Sequence, residues 1–381
     1  MPDRWAPLQQ LLEAGVSQGV FTAAVALAGV EGDLRWQGAA GALSRDPGAA
    51  AATPDTVFDL ASLTKPLATT LALMVLAGRG QLDLASSLGE VLPAPWLPPD
   101  KRPLTLGSLL THRAGLPAWR PFYQELLTAP FEARPTLLER LAAATPLEYP
   151  PDTATLYSDL GFMLLKAVVE GVSGETLVRF CREAIYLPLG LNTLGFIPLA
   201  KTAQVVLTTE NRKPKTENRL YAATEPGLIA GRPPAGEVHD ENAWAAGGVA
   251  GHAGLFGPGH EVFRLVAALY RAYSGEKTGP LAPAAAQHFL TVPPGAERAC
   301  GFDIPGPDPA TRAAGRYFSP RSVGHLGFTG TSFWLDLETG RMIVLLTNRV
   351  HLGRDDKTGI QAFRPRFHEA ASRALGFTQP Y

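Results

Sequence analysis

The sequence predicts an α+β fold in which one antiparallel sheet is built from both ends of the chain. Near the N-terminus, residues 22–30 and 34–41 have strand-like composition and are joined by Glu31-Gly32-Asp33, whose residue types favour a tight turn. Near the C-terminus, residues 332–337 and 341–347 repeat this pattern. The residues between the two hairpins have mainly helical patterns, so we expect a helical region inserted into the sheet domain.

The other elements are predicted from periodicity. Apolar residues at helical spacing between Leu8 and Val16 predict an amphipathic first helix, and residues 261–272 and 363–375 are also predicted to be helical. Residues 201–242 are polar with little periodicity, which indicates a long surface segment.

These elements suggest a discontinuous division of the chain. We expect residues 1–60 and 260–381 to form the sheet domain and residues 61–259 to form a mainly helical subdomain with long loops. The active site is expected between them.

Composition limits the classes of partner. The chain has 381 residues, of which 46% are hydrophobic, so it can bury a large core. Lys and Arg number 34 against 35 Asp and Glu, and the basic residues are scattered, so neither nucleic acid nor an anionic membrane is an expected partner. No apolar run looks long enough to span a bilayer. We expect a small molecule or short peptide as substrate, and composition sets no oligomeric state.

Two features favour a cytoplasmic location. The N-terminus carries Asp3 and Arg4 followed by an amphipathic pattern, which differs from the apolar core of a signal peptide. Cys181 and Cys300 permit at most one disulfide and suit a reducing compartment.

The first catalytic candidate is Ser62, which begins an apolar helix three residues before Lys65. Residues i and i+3 share a helix face, so the Ser62 hydroxyl is expected beside the Lys65 amine. The free N–H groups and positive dipole at a helix N-terminus favour a developing oxyanion, as an acyl-transfer nucleophile requires. From this motif alone, a simple helix cap with a solvated lysine remains the alternative.

Two later stretches complete a pattern. Tyr157-Ser158-Asp159 stands at the start of another apolar helix, and His325-Leu326-Gly327 leads into a strand. Ser-x-x-Lys, Tyr-x-Asp and His-x-Gly in this order resemble the three motifs of the serine β-lactamases and penicillin-binding proteins, whose class A members carry S-x-x-K, S-D-N and K-T-G. The tyrosine in the second motif is similar to the class C branch and its esterase and D-peptidase relatives.

The resemblance covers nearly the whole chain. Residues 109–117, LLTHRAGLP, and the glycine-rich residues 247–257 are similar to further segments of this family. The resemblance implies a β-lactamase/transpeptidase-like fold, with an antiparallel sheet flanked by helices and a helical subdomain beside it.

The resemblance also implies a mechanism. Ser62 attacks a carbonyl to form an acyl-enzyme, and Lys65 and Tyr157 are both candidates for the base. Their unperturbed pKa values are about 10.4 and about 10, so at least one must be lowered by its surroundings. The implied oxyanion hole consists of the backbone N–H groups of Ser62 and Phe328, and Gly327 is expected to let the substrate approach the strand closely.

The chain departs from the family at two positions. Asp159 stands where the family usually has Asn; we expect it to stabilise the Lys65 ammonium and raise the lysine pKa. Tyr157 would then be the better base, with its own pKa lowered by the lysine.

The second departure is His325, which stands where β-lactamases have a fixed lysine for the substrate carboxylate. Histidine is only partly charged near neutral pH, which disfavours β-lactam turnover. Arg349 follows an apolar strand and could bind a carboxylate, with a surface salt bridge as the equal alternative.

These features predict a serine hydrolase of small esters or amides, of the esterase or D-amino-acid peptidase type. A true β-lactamase, a D-Ala-D-Ala carboxypeptidase and a penicillin-binding sensor without turnover remain alternatives. No cofactor is expected. No metal site is predicted either, because His239-Asp240-Glu241 lacks a recognised ligand spacing.

Overall fold

One antiparallel sheet joins the two ends of the chain. In the computed structural model, which describes residues 3–92, 95–199, 220–225, 229, 235–277, 279–308 and 311–381, this sheet has five strands in the order β2-β1-β8-β7-β6. Its strands are β1 Ala23–Val30, β2 Asp33–Gly41, β6 Ser322–Leu326, β7 Ser332–Asp336 and β8 Arg341–Thr347. The β1–β8 pairing joins the two predicted hairpins directly, which confirms a sheet built from both ends.

A second, smaller sheet lies next to the site. Its three strands are ordered β3-β5-β4, with β3 Val57–Asp59, β4 Gly195–Phe196 and β5 Leu255–Pro258.

Helices cover both faces of the large sheet and form the region inserted between its strands. In chain order they are α1 Ala6–Ser17, α2 Leu71–Gly78, α3 Leu88–Val91, α4 Leu106–Leu110, α5 Tyr123–Leu126, α6 Arg134–Ala144, α7 Asp159–Ser173, α8 Leu177–Phe180, α9 Glu241–Ala245, α10 Gly259–Tyr273, α11 Pro283–Leu290 and α12 Thr358–Ala374. The mixed α and β content agrees with the predicted fold class.

Side-chain alternation along β1 explains why the sheet is covered on both faces. Ala23, Val25 and Leu27 belong to the larger core, between the sheet and the helical region. The intervening alanines at 24, 26 and 28 belong to a smaller core with residues of α1 and α12. Successive strand residues point to opposite faces, so a strand with no polar position must be buried on both.

Three details differ from the sequence expectations. The strand β6 contains His325 near its end, whereas the expectation was that this motif leads into the strand that follows. Gly324 weakens the strand-like composition of β6, so the sequence did not predict this strand. Glycine is required there, because a Cβ would lie 2.4 Å from the Phe333 carbonyl oxygen. Helix α12 begins five residues earlier than predicted, where Asp356 Oδ1 accepts a hydrogen bond from the Thr358 N–H at 2.8 Å.

The third difference concerns apolar length. Among the described residues, Ala61–Gly78 is long and apolar enough to cross a membrane by composition, with a mean hydropathy of 1.3. The expectation that no run reaches this length was therefore wrong. This segment is 83% buried inside the protein, as a core helix would be.

Two further expectations are not decided by the structure. The predicted surface segment at residues 201–242 lies largely outside the described residues. The domain division near residues 60 and 260 stays a prediction.

Candidate active site

Ser62 lies in a tight turn between a strand and a helix. The strand β3 ends at Asp59, whose Oδ1 accepts a hydrogen bond from the Ala61 N–H at 2.8 Å, and Ala61 has a positive φ of 49°. Ser62 then occupies a 3-10 turn, Ala61–Leu63, which leads through a π-helical segment, Lys65–Thr70, into α2. The nucleophile candidate is thus at a helix start, as the sequence predicted.

Lys65 is fully buried beside the Ser62 hydroxyl. Its Nζ donates hydrogen bonds to Ser62 Oγ and to the His252 carbonyl oxygen, both at 3.2 Å. It also lies 2.6 Å from Asp159 Oδ1. Burial acts to lower the lysine pKa, but the Asp159 charge, and then Tyr157, raise it above its usual value. The predicted effect of Asp159 on Lys65 is confirmed, and Lys65 is an ammonium at rest.

Tyr157 precedes α7 and faces the same lysine. Lys65 Nζ lies 4.8 Å from the centroid of its ring, and the His112 ring packs against it with centroids 4.5 Å apart. His112 Nδ1 accepts a hydrogen bond from the Ser158 N–H at 3.0 Å, which fixes the start of α7.

Lys65 lowers the tyrosine pKa, as expected, but other contributions outweigh this effect. Burial raises the Tyr157 pKa, the lysine charge lowers it, and the Asp159 charge raises it again; the result is a raised pKa. Tyr157 is therefore a neutral phenol at rest.

The glycine-rich residues 247–257 support the helix that carries Lys65. Thr69 Oγ1 donates to the Gly251 carbonyl oxygen at 2.7 Å, and Thr64 Oγ1 accepts from the Leu255 N–H at 3.0 Å. A Cβ on Gly251 would lie 2.0 Å from the Phe162 carbonyl oxygen, so only glycine allows this approach.

The one cluster of described residues with possible metal ligands lies in the same place. Ligand atoms of Asp159, Asp240 and His252 lie within 4.8 Å of one another. His252 Nε2 is 3.0 Å from Asp240 Oδ1, and the Lys65 ammonium contacts both Asp159 and the His252 backbone. A cation of the chain itself thus already lies at this cluster.

His325 is buried at the end of β6. Its Nδ1 is 2.9 Å from the Leu326 carbonyl oxygen, and its Nε2 lies 4.0 Å from Asp303 Oδ1. Burial lowers the pKa of His325 to about 4. The expectation of a partly charged histidine near neutral pH was therefore wrong, because the sequence does not reveal that the residue is only 2% exposed.

The backbone at Gly327 packs so closely against Thr331 and Leu60 that there is no room for a side chain. A Cβ there would lie 2.0 Å from Thr331 Oγ1 and 2.8 Å from the Leu60 carbonyl oxygen. Close packing of the strand end against the segment before Ser62 thus already requires a glycine here, and the close approach of substrate stays a prediction.

Phe328 follows directly. In the described part of the chain, neither its N–H nor that of Ser62 donates to a protein acceptor. Both groups are thus available for a ligand oxygen. The Phe328 ring is 38% exposed and stacks on the His239 ring with centroids 5.6 Å apart.

Arg349 is buried and bound to backbone oxygens, which neither sequence alternative foresaw. Its Nε donates to the Phe328 carbonyl oxygen at 3.0 Å, and its Nη1 bonds to the carbonyl oxygens of Gly353, Arg354 and Asp356. The alternative prediction of a surface salt bridge for Arg349 was therefore wrong. The guanidinium holds the chain after β8 in place.

A cavity of about 250 Å³ brings most of these groups together. Ser62, Tyr157, His325, Phe328 and Arg349 all contribute to its wall. Gly327 also lines it, while Lys65 contacts Ser62 and Asp159 contacts Lys65.

The cavity also has lining residues that sequence reasoning missed: Asp303, Lys357, Gln361 and Arg364. Arg298 stands close by, paired with Asp303 and 5.3 Å from the centroid of the Tyr157 ring. No motif contains these residues; they meet only because the C-terminal helix and the segment before β6 fold onto the sheet.

The sheet formed from both chain ends, with a helical region beside it, defines a protein of the β-lactamase/transpeptidase fold. A family model described as Beta-lactamase matches residues 8–363, and the chain belongs to this family.

Comparison with individual proteins is consistent with this family. The chain is 33% identical over 319 residues to a protein of Salmonella gallinarum (strain 287/91 / NCTC 13346) named "Putative D-alanyl-D-alanine carboxypeptidase", covering 79% of this chain and 71% of that relative. It is similar in fold to a penicillin-binding protein homologue from Caulobacter crescentus, with a TM-score of 0.70, 19% identity and 98% of each chain covered. It is also similar to EstCE1, a hydrolase with promiscuous acyltransferase activity, with a TM-score of 0.68, 22% identity and coverage of 95% and 98%.

Proposed function

We propose that this chain is a serine hydrolase that acts through an acyl-enzyme on small esters or amides. The observation that carries the proposal is the Lys65 ammonium within hydrogen-bond distance, 3.2 Å, of the Ser62 hydroxyl oxygen at the wall of the cavity. Ser62 and Phe328 both line this cavity, and the backbone N–H of each has no protein acceptor among the described residues. A nucleophile, a neighbouring charge and oxyanion donors are the parts that acyl transfer needs.

The proposed proton path runs through Tyr157. The Lys65 ammonium has no free pair to accept a proton, and Tyr157 is close enough to the Ser62 and Lys65 side chains for both to influence its pKa. As Ser62 Oγ bonds to the carbonyl carbon, the π electrons of the carbonyl move onto its oxygen and the serine proton moves to the Tyr157 oxygen. When the C=O bond reforms, the bond from this carbon to the leaving group breaks, and the original phenol proton passes to the leaving group, which restores neutral Tyr157. Lys65, held by Asp159, stays charged and stabilises the negative charge that develops during this transfer.

The substrate preference follows from His325. A ring with a pKa of about 4 carries no charge at neutral pH, so the third motif supplies no fixed cation for a carboxylate. Uncharged esters and amides lose little from this change. Short-chain esters and D-amino-acid amides are therefore the proposed substrates, with β-lactams disfavoured.

A D-Ala-D-Ala carboxypeptidase is the second candidate function. It is supported by the name of the 33% identical relatives and by the Lys357 side chain on the cavity wall, where a substrate carboxylate would find a cation. The two candidates differ in whether the preferred substrate carries a free carboxylate.

The test combines a substrate panel with active-site labelling. p-Nitrophenyl esters, D-alanyl peptides with free and amidated C-termini, and nitrocefin separate the substrate classes. A serine-directed phosphonate should label the peptide containing Ser62, and Ser62→Ala should remove labelling and turnover, whereas the control Ser17→Ala on α1 should keep both. Labelling elsewhere, or full activity in Ser62→Ala, would exclude this function. A burst of product without steady-state turnover would instead indicate a sensor.

A further inference from the structure

Two buried arginines hold the loop that contains Phe328. Arg364, on α12, donates from Nη2 to the Gly327 carbonyl oxygen at 2.8 Å and to the Thr331 carbonyl oxygen at 2.9 Å. Arg349 donates from Nε to the Phe328 carbonyl oxygen at 3.0 Å. The peptide units on both sides of Phe328 are thus each bound to a guanidinium.

The same loop is tied to the segment before the nucleophile. Thr329 Oγ1 donates to the Asp59 carbonyl oxygen at 2.8 Å, and Thr331 Oγ1 donates to the Leu60 carbonyl oxygen at 3.2 Å. A shift of the loop would therefore alter its position relative to Ser62.

Peptide geometry gives the Arg364 contact a direction. The Gly327 carbonyl and the Phe328 N–H belong to one peptide unit, and no cis peptide occurs in the described chain. In a planar trans peptide these two bonds point in opposite directions, so the Phe328 N–H points away from Arg364. A guanidinium bound to the carbonyl oxygen draws electron density through the amide and makes that N–H a stronger hydrogen-bond donor.

Arg364 is an unusual residue for packing alone. It is 7% exposed, it forms no ion pair in the part of the chain that the structure describes, and its Nε is buried without a hydrogen-bond partner. Burial lowers its pKa to about 9, so it remains charged at neutral pH. An unpaired buried charge is costly, and a neutral donor could bind two carbonyl oxygens at lower cost.

We propose that Arg364 is a positioning residue of the oxyanion hole, which fixes the Gly327–Phe328 peptide and strengthens its N–H as a donor. When Ser62 Oγ bonds to the carbonyl carbon, the π electrons of the carbonyl move onto its oxygen, and the Phe328 N–H binds that oxygen. The inference rests on the proposed function.

The test uses Arg364→Gln, which removes the charge but keeps an N–H donor, and Arg364→Lys, which keeps the charge. Arg366→Gln is the matched control, because Arg366 is an exposed arginine of the same helix. For each variant we would measure kcat and KM with a p-nitrophenyl ester, and the inhibition constant of an alkyl boronic acid, which forms an anionic tetrahedral adduct with the nucleophile.

Arg364→Gln should lower kcat by about tenfold to a hundredfold, somewhat less than the loss of an entire oxyanion donor. It should weaken boronic acid binding by a similar factor and leave KM nearly unchanged. Arg364→Lys should recover most of both losses, and Arg366→Gln should behave as the parent protein. A mere packing role would lower thermal stability without this parallel loss.

Other outcomes overturn the inference. Arg364→Gln with parent-like kcat and boronic acid affinity, or with a loss confined to KM, would exclude it. If Arg364→Gln does not fold, Arg364→Lys decides, because a folded lysine variant with a hundredfold lower kcat would show that charge is not what matters. Phosphonate labelling of Ser62 separates the two proposals. If Ser62 is labelled and the Arg364 variants behave as the parent protein, only this inference is excluded. If the parent protein is not labelled, the proposed function is excluded and this inference with it.

Discussion

The Lys65 ammonium lies 2.6 Å from the Asp159 carboxylate, with the lysine side chain fully buried and the carboxylate 17% exposed. A buried cation retains its proton when an anion stands this close, because their attraction is weakly screened. Lys65 is therefore charged beside Ser62, and in the proposed reaction the proton of Ser62 must pass to another group.

Asp159→Asn should change the pH dependence of the reaction. Without the carboxylate, burial and the remaining contacts determine the Lys65 pKa, which falls from its raised value. The basic limb of kcat/KM, which reports the free enzyme, should move to lower pH. The control Asp33→Asn removes an exposed carboxylate and should leave the profile as it is. An unmoved limb in Asp159→Asn would mean that the carboxylate does not control the lysine.

Tyr157→Phe should lower kcat by about 10² to 10⁴, the range expected for loss of a proton-transfer group. Phenylalanine keeps the ring that packs on His112 and faces Lys65, so the cavity wall should persist. Steady-state kinetics with a p-nitrophenyl ester, together with a melting curve, measures both effects. A rate within a few fold of the parent would assign the proton to another group.

KM for anionic substrates should be nearly flat between pH 6 and 8. His325 has a pKa of about 4, so its charge does not change in that interval. His325→Lys should lower KM selectively for substrates with a free carboxylate, while His325→Gln should change both substrate sets alike. A KM that rises from pH 6 to 8 in the parent and becomes flat in His325→Gln would show that the ring is charged at pH 6.

His368 should contribute an acid-sensitive part of the folding stability. Burial lowers its pKa to about 4, whereas an unfolded histidine titrates near 6.5. Between these values the unfolded chain binds the extra proton, so stability falls as the pH is lowered through this window. From pH 7 to pH 5 the loss should be roughly 2 kcal/mol for this group.

Urea unfolding at pH 7 and pH 5 measures that loss. His368→Gln should have the smaller difference between the two pH values, and the half-exposed His260→Gln should match the parent. Equal pH dependence in all three proteins would contradict a neutral buried His368.

Gly327→Ala should destabilise the fold and reduce activity together. The added Cβ would lie 2.0 Å from Thr331 Oγ1, so the loop after β6 must shift. Overpacking of this kind costs about 1–3 kcal/mol in the free energy of unfolding. Gly195→Ala is the control, because a Cβ there has no neighbour within 4 Å. Parent-like unfolding of Gly327→Ala would show that the loop adapts without cost.

Local patterns in the sequence were sufficient for much of the fold and for part of the site. Glu31 and Gly32 form the predicted turn between β1 and β2, and Ser62 and Lys65 meet because three residues make one helical turn. Both depend on neighbours close in sequence.

Properties that arise from tertiary burial were not accessible in the same way. His325 is neutral because the strands and the Tyr157 segment bury it. Arg349 binds the carbonyl oxygen of Phe328, which lies 21 residues away in sequence, and no local pattern predicts this contact. Arg364 carries no motif, and it reaches Gly327 only after α12 has packed on the sheet. Such residues become visible once long-range packing is known.

The pairing of β1 with β8 has a consequence for how the protein folds during synthesis. Asn348 Oδ1 accepts hydrogen bonds from the backbone of Thr22 and Ala23, and Thr22 stands 326 positions away from it along the chain. Contacts of such high sequence separation form slowly, because the intervening chain must be ordered first. During synthesis Ser62 emerges early, whereas β6, the Phe328 loop and Arg364 emerge last. Until then one edge of β1 has no partner, and an unpaired strand edge is the surface at which nascent chains associate wrongly.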